Sequence, residues 1–267
     1  MRIAMVGHKR VPSREGGIEV VVEELAARMV MHGHSVTCYN RTGHHVSGKE
    51  YDIEHLDEYR GIRLKRVPTI DRKGLAAVTS SFFGCLAAAF GPYDVVHIHA
   101  EGPAMFSWLP RLTGKRVVLT VHGLDWARDK WKGSFGSWYI HTGEKTGGDD
   151  RIIFTGFVDG ALREELYSNA YLFVLPSDLE GMPLCLLEAM SYSNCVITSD
   201  IEECYNVIHD NGIVFRKGDV DDLAQKLIYA LEHPNAVRMF KWLAAEYVCT
   251  RFPWDKIVVE TLKLYQK

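Results

Sequence analysis

Two carboxylates eight residues apart, Glu180 and Glu188, stand in the most informative stretch of the sequence, Glu-Gly-Met-Pro-Leu followed after three residues by Glu-Ala-Met. The apolar run before it predicts a strand that ends at Pro176. Pro183 fits the first position of a helix, because its missing N–H would be unpaired there. The start of that helix offers amides and a positive dipole to an anion, while the carboxylates can accept hydrogen bonds from sugar hydroxyls. A plain helix start with an exposed Glu is the alternative interpretation.

Histidines at the ends of two predicted strands form a second candidate set. His122 ends a strand directly before Gly123, where a side chain can emerge into a cleft. The alternative is a structural histidine whose hydrogen bonds are satisfied within the protein. His97 and His99 are two apart on one strand, so both point to the same face. A zinc site would need a third ligand, and none stands at a convincing spacing, so we expect no metal.

A regular alternation of strands and helices must position these residues. The pair Gly16-Gly17 opens the first helix, and taken alone it fits a simple glycine turn. Alternation of this kind is typical of βαβ units and a parallel sheet. In the first half the predicted strands are Arg2–Val6, Ser35–Asn40, Asp52–Leu56, Ile62–Val67, Val95–His99 and Arg116–His122, and the predicted helices are 17–32, 73–90 and 103–112.

A polar, glycine-rich stretch at 142–150 predicts a domain boundary. We expect an N-terminal Rossmann-like domain at 1–145 and a C-terminal domain at 146–267, both α/β and facing a cleft. In the second half the predicted strands are 151–157, 171–176, 195–199 and 212–215, and the predicted helices are 161–168, 183–193, 219–232, 235–250 and 253–266.

The Glu-Gly-Met-Pro string after a strand resembles the sugar-donor signature of retaining glycosyltransferases with the GT-B fold, in particular family 4. The segment from His122 through Asp125 and Trp126 is similar to a bacterial rhamnosyltransferase-type subgroup. The resemblance implies a hexosyltransferase that moves a sugar from a nucleotide diphosphate sugar to a glycan or lipid-linked acceptor. It also implies retention of anomeric configuration, a role in polysaccharide biosynthesis, and no need for a metal or other cofactor.

The same resemblance implies roles for individual residues. Glu180 contacts the transferred sugar, Glu188 contacts the nucleotide ribose, and His122 lies at the reacting centre. Further contacts to the sugar donor fall on Gly16, Gly17, Gly181, Met182, Pro183 and Leu184, and contacts on the acceptor side fall on His99, Asp125 and Trp126.

One part of the family pattern has no counterpart here. The family's second domain opens with strands and a Gly-Arg-Leu-x-x-x-Lys pattern whose basic pair grips the diphosphate, and the sequence contains no such pattern. We therefore expect a shortened second domain, through a genuine deletion, an omitted stretch of sequence or a natural short variant. The alternative function is a weakly active or inactive relative that only binds nucleotide sugar or acceptor.

Composition and charge exclude several classes. The chain is 47% hydrophobic and 24% charged, which excludes disorder, collagen and coiled coil. Residues 1–145 carry 20 Lys and Arg against 15 Asp and Glu, whereas 146–267 carry 11 against 19. Six cysteines without a short metal spacing and no signal peptide predict reduced thiols in the cytoplasm. A nicotinamide oxidoreductase is disfavoured because the first loop lacks Gly-x-Gly-x-x-Gly.

Aromatic and basic residues alternate over 126–139. Such a mixture suits a peripheral contact with the inner face of the plasma membrane or a pocket for a lipid-linked acceptor. A helix that packs its aromatic side chains into the domain core is an equal alternative. We expect no nucleic-acid partner.

Overall fold

The structure, a computed structural model, describes residues 1–13, 16–43, 56–72, 75–122, 155 and 158–266. Its strands are β1 Arg2–Val6, β2 Ser35–Arg41, β3 Glu58–Tyr59, β4 Ile62–Val67, β5 Val95–His99, β6 Arg116–Thr120, β7 Phe173–Leu175, β8 Val196–Ser199 and β9 Ile213–Phe215. Its helices are α1 Gly17–Met31, α2 Leu75–Phe90, α3 Glu101–Ala104, α4 Trp108–Leu112, α5 Gly160–Asn169, α6 Leu184–Ser191, α7 Glu202–Ile208, α8 Val220–Glu232, α9 Pro234–Arg251 and α10 Trp254–Leu264.

The chain forms two compact units, Met1–Gly123 with Cys249–Lys267, and Leu124–Val248. The sheet of the first unit has the strand order β3-β4-β2-β1-β5-β6. All neighbouring strands are parallel except β3 and β4. The carboxyl ends of the parallel strands therefore share one edge of the sheet, where ligands bind in folds of this kind.

The central strand β1 explains how helices cover both faces of this sheet. Its side chains alternate between two cores: Ile3 and Met5 pack with helix α1, while Ala4 and Val6 pack with helix α2. Four successive buried apolar residues are typical of a parallel strand that is covered on both sides.

The C-terminal helix α10 belongs to the first unit. Val258 and Tyr265 are buried in the same core as Ile3, and Asp255 pairs with Arg28 of α1 at 3.3 Å. This grouping differs from the predicted division into 1–145 and 146–267, because the apolar face of α10 completes the core under α1.

The second unit has a described three-stranded parallel sheet in the order β7-β8-β9. Helix α6 follows β7, α7 follows β8 and α8 follows β9, so each strand is followed by a covering helix. Ile197 of β8 and Phe215 of β9 pack with Ala230 of α8 and Val237 of α9 in one core.

Most predicted elements that fall on described residues match the structure, but strand β3 at Glu58–Tyr59 was not predicted. The single helix predicted over 103–112 is two short helices, α3 and α4, with a turn between them. Helix α7 was not predicted, because seven residues give little periodicity. The strand predicted at 151–157 lies outside the described residues apart from Thr155, as does Asp52–Leu56 apart from Leu56. None of the described helices is both long and apolar enough to cross a membrane.

Candidate functional site

The loop between β7 and α6 carries the predicted sugar-donor residues. It runs from Pro176 to Pro183, and its middle, at Gly181 and Met182, is exposed. The predicted helix start is wrong by one residue: Pro183 precedes the helix with φ −75° and ψ 87°, and Leu184 is the first helical residue. A proline side chain offers no acceptor, so Pro183 gives α6 no side-chain cap, although its carbonyl oxygen accepts from the Leu186 amide at 3.0 Å.

Glu180 is held in place by serines at the ends of two strands. Ser177 Oγ donates a hydrogen bond of 2.7 Å to Glu180 Oε1. Ser199, the last residue of β8, donates through its hydroxyl to the Ser177 carbonyl oxygen. The carboxylate of Glu180 is therefore braced against the sheet edge. Neither serine was predicted as part of the site, although each stands directly at a predicted strand end.

Glu188 lies on the second turn of α6 with about a third of its side chain exposed. Arg163 of α5 places Nη1 3.6 Å from Glu188 Oε1 and 3.4 Å from Asp159 Oδ1. Arg163 thus stands between two carboxylates, one of them a predicted sugar-donor residue. This arginine was also missed, because it lies on a different helix from the motif.

Gly16 precedes helix α1, as predicted, with an extended backbone at φ −162°. Glu19 lies beside it: a Cβ at Gly16 would lie 2.8 Å from Oε2, the far end of the flexible Glu19 side chain. The other oxygen, Oε1, accepts a hydrogen bond of 2.9 Å from the Lys9 amide. A carboxylate of the chain itself thus lies at the positive end of α1, and the predicted contact of Gly16 and Gly17 with a diphosphate stays a prediction.

The histidines of β5 point to one face, as the spacing predicts, and their rings lie 4.1 Å apart. Both side chains are fully buried. His97 Nδ1 lies 2.6 Å from the Tyr265 hydroxyl, and Nε2 lies 2.7 Å from Thr120 Oγ1. His99 Nδ1 lies 3.0 Å from His122 Nε2, and the two rings are stacked. Two hydrogen-bonded pairs therefore lie side by side: His97 with Tyr265, and His99 with His122, with the rings of His97 and His99 in contact.

Burial keeps these imidazoles neutral. Desolvation lowers the pKa of His97 to about 3 and holds the pKa of His99 well below its usual value. It also lowers the pKa of the half-buried His122. Each ring then carries a single proton at pH 7, and since Nε2 of His122 faces His99, only Nδ1 is left to meet a substrate.

A glycine brings the loop after β1 against the end of β5. Gly7 has φ +109°, and a Cβ there would lie 2.1 Å from the His99 carbonyl oxygen. Only glycine fits this backbone and this close approach. The next residue, His8, lies near enough to contribute to the lowered pKa of His99.

Asn40 of β2 fixes the same loop. Its Oδ1 accepts from the Val11 amide at 3.1 Å and its Nδ2 donates to the Val11 carbonyl at 2.9 Å. With the amide oriented in this way, His8 Nε2 must donate its proton to Asn40 Oδ1, at 3.1 Å. Desolvation lowers the pKa of His8 to about 4. Neither His8 nor Asn40 was predicted as part of the site.

Two predicted acceptor-side residues, Asp125 and Trp126, lie outside the described residues, as does the aromatic and basic segment 126–139. Within the described part of the chain, no group of three or more His, Cys, Asp or Glu side chains is placed to hold a metal ion.

Comparison with protein-family models gives two matches. The model described as "Glycosyltransferase Family 4" matches residues 15–155, which is more than half of the chain. This chain belongs to glycosyltransferase family 4. A second model, "Glycosyl transferases group 1", matches residues 107–233, a range that includes the Glu180 loop and helix α6.

Curated relatives of this family 4 member are distant. An uncharacterized glycosyltransferase of Methanocaldococcus jannaschii is 22% identical over 78% of this chain and 52% of its own length. The O-antigen chain mannosyltransferase B of Escherichia coli is 29% identical over 43% of this chain and 30% of its own length. This chain therefore spans about a third to a half of the relatives it matches.

Solved structures confirm the fold of the family 4 chain. Sucrose-phosphate synthase from Thermosynechococcus elongatus matches with a TM-score of 0.75 at 15% identity, over 99% of this chain and 98% of the other. WaaG, a glycosyltransferase involved in lipopolysaccharide biosynthesis, matches with a TM-score of 0.67 at 14% identity, over 96% and 98%. The predicted α/β fold of two Rossmann-like domains, GT-B, is confirmed.

Proposed function

We propose that this chain transfers a sugar from a nucleotide diphosphate sugar to a glycan or lipid-linked acceptor with retention of anomeric configuration. The Glu180 loop is the observation that carries the proposal. It combines a carboxylate braced by Ser177 with a helix start that has no side-chain cap. A negatively charged phosphate matches the helix start and a sugar hydroxyl matches the carboxylate, so one ligand with both groups suits the loop. Membership of family 4 supports the same reaction.

In this proposal, each acidic residue of the motif binds one part of the sugar donor. Glu180 accepts a hydrogen bond from the transferred sugar through the oxygen opposite the one that Ser177 holds. Glu188 accepts from the ribose hydroxyls, and Arg163 beside it offsets the negative charge. The pairing of Arg163 with Glu188 matters because the nucleotide diphosphate sugar is an anion. The basic pair that grips the diphosphate in the family pattern is predicted to be missing from this chain.

His122 meets the sugar at the reacting carbon through Nδ1, since Nε2 faces His99. The bond between the anomeric carbon and the phosphate oxygen breaks, and the acceptor oxygen bonds to that carbon on the same face. The acceptor's proton passes to the leaving phosphate oxygen, and the nucleoside diphosphate departs. The step needs no protein nucleophile, and the family resemblance implies no metal.

The relatives favour a role in cell-surface polysaccharide biosynthesis. The E. coli relative is named for O-antigen chains. A Campylobacter jejuni relative, 36% identical over 39% of this chain, is named for transfer to a diphospho-undecaprenol-linked sugar. We propose by this analogy that the chain works at the cytoplasmic face of the plasma membrane on a lipid-linked acceptor. The resemblance to rhamnosyltransferases makes rhamnose the first sugar to test.

The test is a transfer assay with a panel of UDP- and dTDP-sugars, including dTDP-rhamnose, and diphospholipid-linked acceptors. We expect E180Q to lower kcat/KM about 10- to 100-fold, the usual effect of losing a charge-assisted hydrogen bond. The matched control is E202Q, which removes an exposed carboxylate on α7 in the same unit. Proton NMR of the product reports its anomeric configuration.

Two results would overturn the proposal. Tight nucleotide binding by calorimetry with no transfer from any sugar donor would establish the binding-only alternative. A product with inverted configuration would refute the retaining reaction while leaving glycosyl transfer in place.

A further inference from the structure

A polar cavity of about 140 Å³ opens at the carboxyl ends of β2 and β4 in the first unit. Of the eight described residues that line it, three are arginines, Arg10, Arg41 and Arg66, and none is Asp or Glu. Asp71 lies beside the cavity, with its carboxylate close to Gly43. The volume is several times the ~30 Å³ that one water molecule occupies in the liquid, which is room for a group of the size of phosphate.

The fold places these arginines from three separate elements. Arg41 is the last residue of β2, and Arg66 lies opposite Asn40 in the register of β2 and β4. Arg10 lies in the loop after β1, beside Val11, whose amide and carbonyl both bond to Asn40. The Arg41 amide also donates to the Lys9 carbonyl at 2.7 Å. Backbone and side-chain hydrogen bonds thus hold the arginine positions before any ligand binds.

Two of the three guanidinium groups, those of Arg10 and Arg41, bond to the backbone of the chain. Arg10 is only 7% exposed and donates to the Gly43 carbonyl at 3.4 Å, and Arg41 donates to the Gly7 carbonyl at the same distance. Each of the three guanidinium groups is positively charged, so an anion in the cavity is attracted by all three. The charge of Arg41 reaches as far as His8, whose pKa it lowers further.

We infer that this cavity binds a phosphate or diphosphate group carried by the acceptor. This inference rests on the proposed glycosyl transfer. Planar guanidinium groups match phosphate oxygens in charge and geometry, whereas an uncharged glycan hydroxyl gains little from three cations. The acceptor class is therefore a sugar attached to a phosphate or diphosphate. The diphosphate of the sugar donor carries the same chemistry, and the experiment separates the two sources.

The first arm measures binding without turnover. Inorganic pyrophosphate is titrated into the full chain by calorimetry at low ionic strength. We expect R10Q and R66Q each to weaken its binding about tenfold, as for loss of one charge-assisted contact. R63Q is the matched control, because Arg63 is an exposed arginine of the same strand β4 that does not line the cavity. Arg66 is exposed, so R66Q leaves the core intact. It therefore tests the site even if R10Q disturbs folding.

The second arm measures UDP binding in the same variants, and we expect no change. Pyrophosphate affinity that survives both R10Q and R66Q would overturn the site. UDP binding weakened as much as pyrophosphate binding would overturn the acceptor assignment, since the cavity would then hold the phosphates of the sugar donor. Neither result depends on catalysis, so both stay distinguishable from failure of the proposed reaction.

The third arm uses the transfer assay with two acceptors that share one glycan, with and without a diphosphate. We expect R66Q to raise KM about tenfold for the phosphorylated acceptor and to leave the phosphate-free glycan unaffected. An equal change for both acceptors would refute phosphate recognition at this cavity.

Discussion

The buried histidines make the stability of the first unit depend on pH. Burial lowers the pKa of His8 to about 4 and that of His97 to about 3, from an ordinary value of 6.5. Below pH 6.5 the unfolded chain therefore binds more protons than the folded one. The stabilising contribution is complete above pH 6.5 and is lost as the pH falls toward the folded values.

The size of the loss follows from the distance between these pKa values. At pH 5, protonation of one such histidine in the unfolded chain lowers the free energy of unfolding by about 2 kcal/mol, since each pH unit below 6.5 contributes about 1.4 kcal/mol. His8 and His97 together give about 4 kcal/mol, and His99, whose pKa lies well below 6.5, adds a further contribution of the same sign. A domain is stable by only ~5–15 kcal/mol, so we expect the first unit to lose a large part of its stability between pH 6.5 and pH 5.

The assay must report on the first unit alone, because a chain of two units does not unfold in one step. Urea unfolding at pH 7.5, 6.5, 5.5 and 5.0 is followed by hydrogen exchange in peptides from β1 and β5. H97Q should reduce the slope of stability against pH by about 1.4 kcal/mol per unit. H32Q is the matched control, because water reaches the exposed His32 imidazole in both states.

Imidazole C2–H signals in NMR test the cause directly. Because burial lowers both pKa values, we expect His8 and His97 to stay neutral in the folded chain down to pH 5. A titration midpoint near 6.5 for either ring in the folded chain would refute it, and so would a flat stability between pH 6.5 and 5.

Two further predictions concern the supports of this histidine set. G7A should cost roughly 2–5 kcal/mol in urea unfolding, because alanine is strained at φ +109° and its Cβ would lie 2.1 Å from the His99 carbonyl oxygen; an unchanged midpoint would contradict the close approach. Y265F should cost about 1–3 kcal/mol, because it leaves His97 Nδ1 without its 2.6 Å partner in a buried site. Y205F at an exposed tyrosine is the control, and equal midpoints for the two variants would argue against the bond.

Local patterns were enough to predict the strands and the strand-end motifs. β1 is apolar after its first residue, β5 is buried along its whole length, and Glu180 follows a strand and precedes a helix in both the prediction and the structure. These features depend on neighbours in sequence, through the pleat of a strand and the amides of a helix start. The spacing of apolar residues and the residue types at turns are therefore enough to predict these strands and motifs.

Long-range partners were not predictable in the same way. His97 meets Tyr265, which is 168 positions away, and Arg163 reaches Glu188 from another helix. Asn40 looks like any polar residue near the end of a strand, yet it fixes a loop about 30 positions earlier. No periodicity encodes such pairs, since the three-dimensional path of the chain creates them.

The membership of α10 in the first unit has a consequence for the synthesis of this chain on the ribosome. Translation proceeds at ~5–20 residues per second, so Tyr265 is made roughly 10–30 s after His97. During that interval the nascent first unit lacks the helix that covers part of its core, and the apolar surface beneath α1 is open to chaperones or to other nascent chains. The second unit is synthesised within the same interval. Ribosome-bound intermediates that stop before α10 should therefore be the species most prone to aggregate.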